Sequence, residues 1–272
     1  MRKTGFYLLI LCSIVLFSVA CKKAVKLQED KIYSRHLQRH VTLTIITTPM
    51  PDDKTSMNLL LCNNGDEMES LNMQHIIDSL YDDKQLRPLT IVGIHGNAAT
   101  EYGMSGLDIP GDKSDKPAKF NEFVIKELYP FIKKKTGIRS FRSIAICGTS
   151  RSGINAIDIA WNNADRIQKV GLFSGAFDYA DKYRVPGTDS ISLVLEKFRL
   201  SRKRPKLQYW FYAANNADSI PYQNTGKLID ILHKKNITGN GDIQFIADPS
   251  GSNNIASWRK QFPAFISWAF GK

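Results

Sequence analysis

The chain has 272 residues, 43% of them hydrophobic and 23% charged, with a formal charge of +11. That length and apolar content suffice for one sizeable core, which excludes a disordered or fibrous chain. The basic excess is spread over Lys133-Lys134-Lys135, Arg202-Lys203-Arg204 and the N-terminal region with no nucleic-acid module beside it, so charge permits attraction to anionic surfaces or glycans and no more.

Arg2 and Lys3 precede the apolar run FYLLILCSIVLF, and Ser18-Val19-Ala20-Cys21 follows. A charged start, an apolar segment and small residues before a cysteine form the pattern of a bacterial lipoprotein signal. Residues 1–20 would be removed and Cys21 would carry the lipid. An uncleaved membrane anchor is the rival reading, for which the run is short. Residues 21–36 then read as a tether and 37–272 as the folded domain. The expected location is outside the cytoplasm, with the protein held at a membrane through Cys21. Cys62 and Cys147 fall on core strands and predict buried thiols without a disulfide framework.

HVTLTIITT, from His40 to Thr48, predicts an early strand at a sheet edge, and NLLLC, from Asn58 to Cys62, a buried one. Asn63-Asn64-Gly65-Asp66 closes the second, and a helix is expected from about Met68 to Tyr81. LTIVGIH, from Leu89 to His95, is another apolar strand and leads into a long loop containing Tyr102. Phe120, Phe123, Val124, Leu128, Phe131 and Ile132 form a helical stripe. Further strands are expected at Ser143–Thr149, Lys169–Ser174, Leu207–Ala213 and DIQFIA. Helices are expected after Ser150, near Ser192–Leu200, around Thr225–Lys235 and over the final Trp258, Phe262, Phe265 and Ile266. Buried strands alternating with amphipathic helices predict an α/β class: a mostly parallel sheet with helices on both faces and ligands beyond the strands' carboxyl ends.

At one such end stands Gly148-Thr149-Ser150-Arg151-Ser152-Gly153, between a strand and a helix. It is close to the Gly-x-Ser-x-Gly nucleophile elbow, with Ser152 in place of the second glycine. In that pattern the serine hydroxyl projects above the sheet, and the N–H of the next residue, here Arg151, lies at a helix N-terminus where it stabilises negative charge. The bland alternative is a Ser/Gly-rich strand-to-helix loop with no chemistry. None of the five histidines forms a metal pair by spacing, and no cofactor motif appears.

VGIHGNAATEYG, KFNEFVIKELYPFI, ICGTSRSG, DIAWNNADRIQKVGLFSGAF and WRKQFPAFISWAF together resemble the Putative esterase family of α/β hydrolases, which holds esterase D-like, enterochelin esterase-like and feruloyl esterase-like enzymes. The resemblance runs from about Leu37 to Phe270 and implies the α/β-hydrolase fold. It makes Ser150 the nucleophile and the Arg151 N–H an oxyanion donor, with a second donor from the Asn64-Gly65-Asp66 loop. It puts the triad acid after the LQYWFYA strand, where Asp218 is the carboxylate in reach and Ala217 the alternative register. It puts the triad histidine five residues before Trp258, and that residue is Asn253. His95 and Tyr102 fall beside the cleft as binding residues. An amide cannot take the serine's proton. Two readings therefore stand: an impaired or non-catalytic homologue that binds a ligand or partner, and an active hydrolase of small or glycan esters using an unconventional base. Neither needs nucleic acid.

Overall fold

The computed structural model describes residues 25–107, 114–183, 191–216, 219–239 and 241–272. Its strands are β1 (Lys26–Ser34), β2 (Arg39–Thr47), β3 (Asn58–Cys62), β4 (Leu89–Ile94), β5 (Ile144–Thr149), β6 (Lys169–Phe173), β7 (Gln208–Ala214) and β8 (Ile243–Asp248). The helices are α1 (Met73–Asp82), α2 (Lys116–Glu122), α3 (Tyr129–Thr136), α4 (Ser150–Asn162), α5 (Leu193–Leu200), α6 (Ile220–Lys234) and α7 (Ile255–Phe270). A wider π-type turn over Phe123–Leu128 joins α2 to α3.

All strands form one sheet in the order β1-β2-β4-β3-β5-β6-β7-β8. β1 and β2 pair antiparallel, as do β2 and β4, and every other pair is parallel. Residue alternation decides the layering, because successive strand side chains point to opposite faces. Leu59, Leu61, Ile144, Ile146 and Phe211 face a core covered by α2 through α6. Leu60, Cys62, Ala145, Cys147 and Trp210 face the opposite core under α1 and α7. Burial on both faces explains why the central strands read as continuous apolar runs.

Three expectations need correction. Residues 26–34, inside the span read as a tether, form β1, which pairs with β2 from Lys26↔Thr47 to Ser34↔Arg39. One face of β1 is open, with Leu27 51% exposed, so its charged residues lack the apolar signature of a strand and protect the sheet edge instead. It is this strand, and not the one after His40, that stands at the edge. The first helix begins at Met73 and not at Met68: a short turn over Gly65–Glu67 and a left-handed Asn72, φ +56°, intervene. Cys21 lies outside the described residues. Cys62 and Cys147 are free, buried and register partners on β3 and β5, and burial pushes the Cys147 thiol well up.

The α7 face of the core is aromatic. Phe265 is fully buried among Phe173, Phe262 and Trp210, with ring centroids 5.5, 5.9 and 6.2 Å away. Phe265→Ala should therefore cost about 3–5 kcal/mol in urea unfolding. A loss below about 1 kcal/mol would contradict the packing described.

Candidate active site

β5 ends where Ser150 turns the chain into α4, and Ser150 sits in the left-handed region at φ +48°. A non-glycine residue there stores of order 1–3 kcal/mol of strain and persists only where its surroundings hold it. Asn64, just past the end of β3, is the main restraint. Its Oδ1 accepts from Thr149 N at 2.8 Å and lies 2.5 Å from Ser152 Oγ. Ser152 Oγ also accepts from Thr149 N at 3.1 Å, so the serine replacing the second glycine of the elbow pattern closes a small hydrogen-bonded ring. Asn63 adds Nδ2 to Ser152 O at 3.2 Å and N to Cys147 O at 2.9 Å. From the other side Ala176 N donates to Ser150 O at 3.3 Å. Glycine is demanded at Gly148, where a Cβ would stand 2.6 Å from Ser152 backbone atoms, and at Gly153, where it would stand 2.3 Å from Leu172 Cδ1.

A buried polar chain runs on from this turn. Asn63 Nδ2 reaches Asn155 Oδ1 at 3.0 Å, and Asn155 Nδ2 reaches Asn121 Oδ1 at 2.9 Å and Gly103 O at 3.1 Å. Asp158 then accepts from Asn121 Nδ2 at 2.6 Å, Ser105 N at 3.0 Å and Asn162 Nδ2 at 3.0 Å. Burial raises the Asp158 carboxyl's pKa, and the bonds from Ser105 and Asn121 pull it partly back. Three elements, α2, α4 and the loop after β4, are thus tied to the serine turn.

The Ser150 hydroxyl is half-buried and has no hydrogen-bond partner among the described residues. The Arg151 N–H lies in the first turn of α4, where N–H groups have no intrahelical acceptor. Asn253 is bound elsewhere: its Oδ1 accepts from Ser174 Oγ at 2.7 Å and Ala214 N at 3.1 Å, and its Nδ2 donates to Ser219 Oγ at 3.2 Å. Trp258 Nε1 donates to the same Ser174 Oγ at 2.9 Å. The amide therefore clamps the ends of β6 and β7 to the start of α6. Asp218 and Ala217 lie outside the described residues.

The oxyanion and binding expectations separate. Gly65 and Asp66 follow β3, but together with His95, Thr44, Leu27 and Met68 they line a cavity of about 330 Å³ on the β1–β2 side that neither Ser150 nor Arg151 borders. His95 Nε2 is 2.8 Å from Thr44 Oγ1, and His95 lines that β1–β2 side cavity, which Ser150 does not border. Tyr102 is not available to a ligand. It is 3% exposed, accepts from Gly96 N at 3.0 Å and reaches the carbonyls of Asn63 and Ile94. His36 pairs with Glu122, His40 lies edge-on to Tyr33, and His75 and His233 are exposed. No imidazole hydrogen-bonds Ser150 among the described residues, and all five histidines are among them.

Two residues the sequence did not single out matter here. Arg39, on β2, forks onto Glu101 with Nε–Oε1 at 2.8 Å and Nη2–Oε2 at 2.5 Å, fixing the loop after β4. Glu67, on the turn after β3, accepts from Thr149 Oγ1 at 3.2 Å, one residue before Ser150. Burial raises the Glu67 carboxyl's pKa, and the Thr149 bond only partly opposes it.

Two tests follow from this geometry. Ser152→Gly restores the elbow pattern but deletes the hydroxyl from the ring, so it should lose about 1–2 kcal/mol in urea unfolding; a stabilised variant would contradict the restraint. The folded state holds the Glu67 proton more tightly than the unfolded chain does. That contribution to stability is full below the ordinary glutamate value of about 4.3 and is lost as pH rises through the elevated folded one. Glu67→Gln should accordingly gain stability relative to the parent as pH rises above the ordinary glutamate value of about 4.3, and parallel curves would refute the shift.

Comparison with known proteins agrees with this architecture. A ferulic acid esterase structure superposes with a TM-score of 0.69 at 16% identity, over 92% of this chain and 98% of the other. The enterobactin esterase FES from Shigella flexneri, determined in the presence of enterobactin, gives 0.73 at 19% identity, over 92% of this chain but only 60% of the other. An IroE-like serine hydrolase from Shewanella oneidensis gives 0.63 at 18% identity, over 90% of this chain and 80% of the other. The family model described as "Putative esterase" matches residues 34–265. The chain belongs to that esterase family and has its α/β-hydrolase fold.

Proposed function

We propose that this chain is an esterase-family protein with a nucleophile-elbow serine, Ser150, whose ester turnover is impaired for want of a base, and whose cleft binds a small-molecule or glycan ester. One observation carries the reading: the residue at the histidine position, Asn253, gives its amide to Ser174, Ala214 and Ser219, and all five imidazoles are engaged or exposed elsewhere. A serine hydroxyl is a weak nucleophile until a neighbour takes its proton, and loss of that base in serine hydrolases costs on the order of a millionfold in turnover. The strained turn and the leading N–H of Arg151 are what would remain to position and polarise a bound ester. The names of the ferulic acid esterase and the enterobactin esterase support an ester as the ligand class.

A second reading, an active serine hydrolase, draws on Glu67. Its carboxyl, whose pKa burial raises, accepts a hydrogen bond from the hydroxyl of Thr149, the residue before Ser150. The proposal also includes export and anchoring through a lipid on Cys21, supported by the sequence Ser18-Val19-Ala20-Cys21 after an apolar run.

Hydrolysis of 4-nitrophenyl acetate separates the readings. The unmodified protein and Ser150→Ala should release nitrophenolate at the same background rate. Asn253→His should raise the rate to about 100-fold above that background, and adding Ser150→Ala should return it to background. Rapid turnover by the unmodified protein, abolished in both Ser150→Ala and Glu67→Gln, would overturn impairment and select the second reading.

A further inference from the structure

Among the described residues, Arg151 has one of its five N–H donors engaged. Its Nη1 donates to Ala99 O at 3.1 Å, while Nε is buried with no acceptor. No carboxylate lies within 4.0 Å of it among the described residues. The guanidinium is nevertheless held. It stacks on the Tyr179 ring at 4.4 Å, and Tyr179 Oη in turn accepts from Met104 N at 2.9 Å. Gly103, at φ +138°, leaves the space for both: a Cβ there would stand 2.6 Å from Tyr179 Oη and 3.4 Å from Arg151 Nε. Ala99 and Gly103 lie on the loop after β4, Tyr179 on the segment after β6, and Arg151 immediately follows Ser150. A fixed, unneutralised planar cation thus stands between two loops that flank the serine turn. Nη2 has no acceptor among the described residues, and a guanidinium fork matches a carboxylate in two parallel hydrogen bonds.

We propose that Arg151 is an anion anchor that makes the cleft selective for esters carrying a free carboxylate elsewhere in the ligand, such as half-esters of dicarboxylic acids. The inference rests on the reading that the cleft beside Ser150 binds an ester, but not on whether Ser150 cleaves it. Arg151 acts by binding and needs no base.

Calorimetric titration of Ser150→Ala protein with monomethyl adipate and with dimethyl adipate tests it, since the two differ by one carboxylate and turnover is removed. The half-ester should bind about 10- to 100-fold more tightly. Arg151→Gln should erase that preference. Binding of both esters with equal affinity overturns the inference and leaves the ester-binding cleft standing. Binding of neither removes the cleft and the inference with it. A preference that survives in Arg151→Gln assigns the anion to another cation and also overturns it. The comparison of two ligands on one protein needs no Arg151 variant, so a poorly folding substitution would not shelter the proposal.

Discussion

The whole site hangs on the Asn64 side chain. A residue with a Cβ does not stay at φ +48° by preference, and Ser150 is held there because Asn64 Oδ1 draws in both Thr149 N and Ser152 Oγ. The contact crosses between neighbouring parallel strands, since β3 and β5 pair directly and deliver Asn64 and Thr149 to the same carboxyl end of the sheet. Packing of both sheet faces fixes that pairing, and the pairing fixes the turn. The asparagine chain through Asn63, Asn155 and Asn121 to Asp158 extends the same restraint into the helical layer. Buried amides of this kind rigidify a core when satisfied and destabilise it when one partner goes.

Holding the serine in place is only half of a hydrolase. The other half is a proton acceptor, and on the function proposed here the residue at that place is Asn253, an amide whose oxygen accepts from Ser174 and Ala214 and whose nitrogen donates to Ser219. Those bonds knit the carboxyl ends of β6 and β7 to the first turn of α6. The positive groups of the turn, the α4 N-terminus and the Arg151 guanidinium, survive this change because they act by fixed charge and dipole. The proposed role, holding an anionic or polarised ligand without turning it over, draws on these fixed charges alone.

Much of the fold is legible in the sequence because burial imposes period. β3, β4 and β5 are buried throughout and mostly apolar since both faces are covered, and the stripe from Phe120 to Ile132 marks a helix face. β1 escapes such reading because its partner is backbone and one of its faces is open, leaving KLQEDKIYS with the composition of a linker. Glycine spacing shows Ser150, yet not what restrains it: Asn64 and Thr149 are 85 positions apart, and no local pattern reports that contact. Tyr102 reads as a rim residue in a long polar loop, while its hydroxyl in fact ties that loop to the end of β4. Glu67 and Arg39 are hidden for the same reason, since a charged residue in a turn or on an outer strand carries no mark of a distant partner.

The central claim is that the Ser150 hydroxyl lacks an activating base, and reaction with a fluorophosphonate measures that property without assuming any substrate. Intact-mass spectrometry of the unmodified protein at neutral pH should show no adduct on Ser150 after hours with excess reagent. Rapid stoichiometric labelling that disappears in Ser150→Ala would mean that a working proton acceptor stands beside the serine, and would contradict the account.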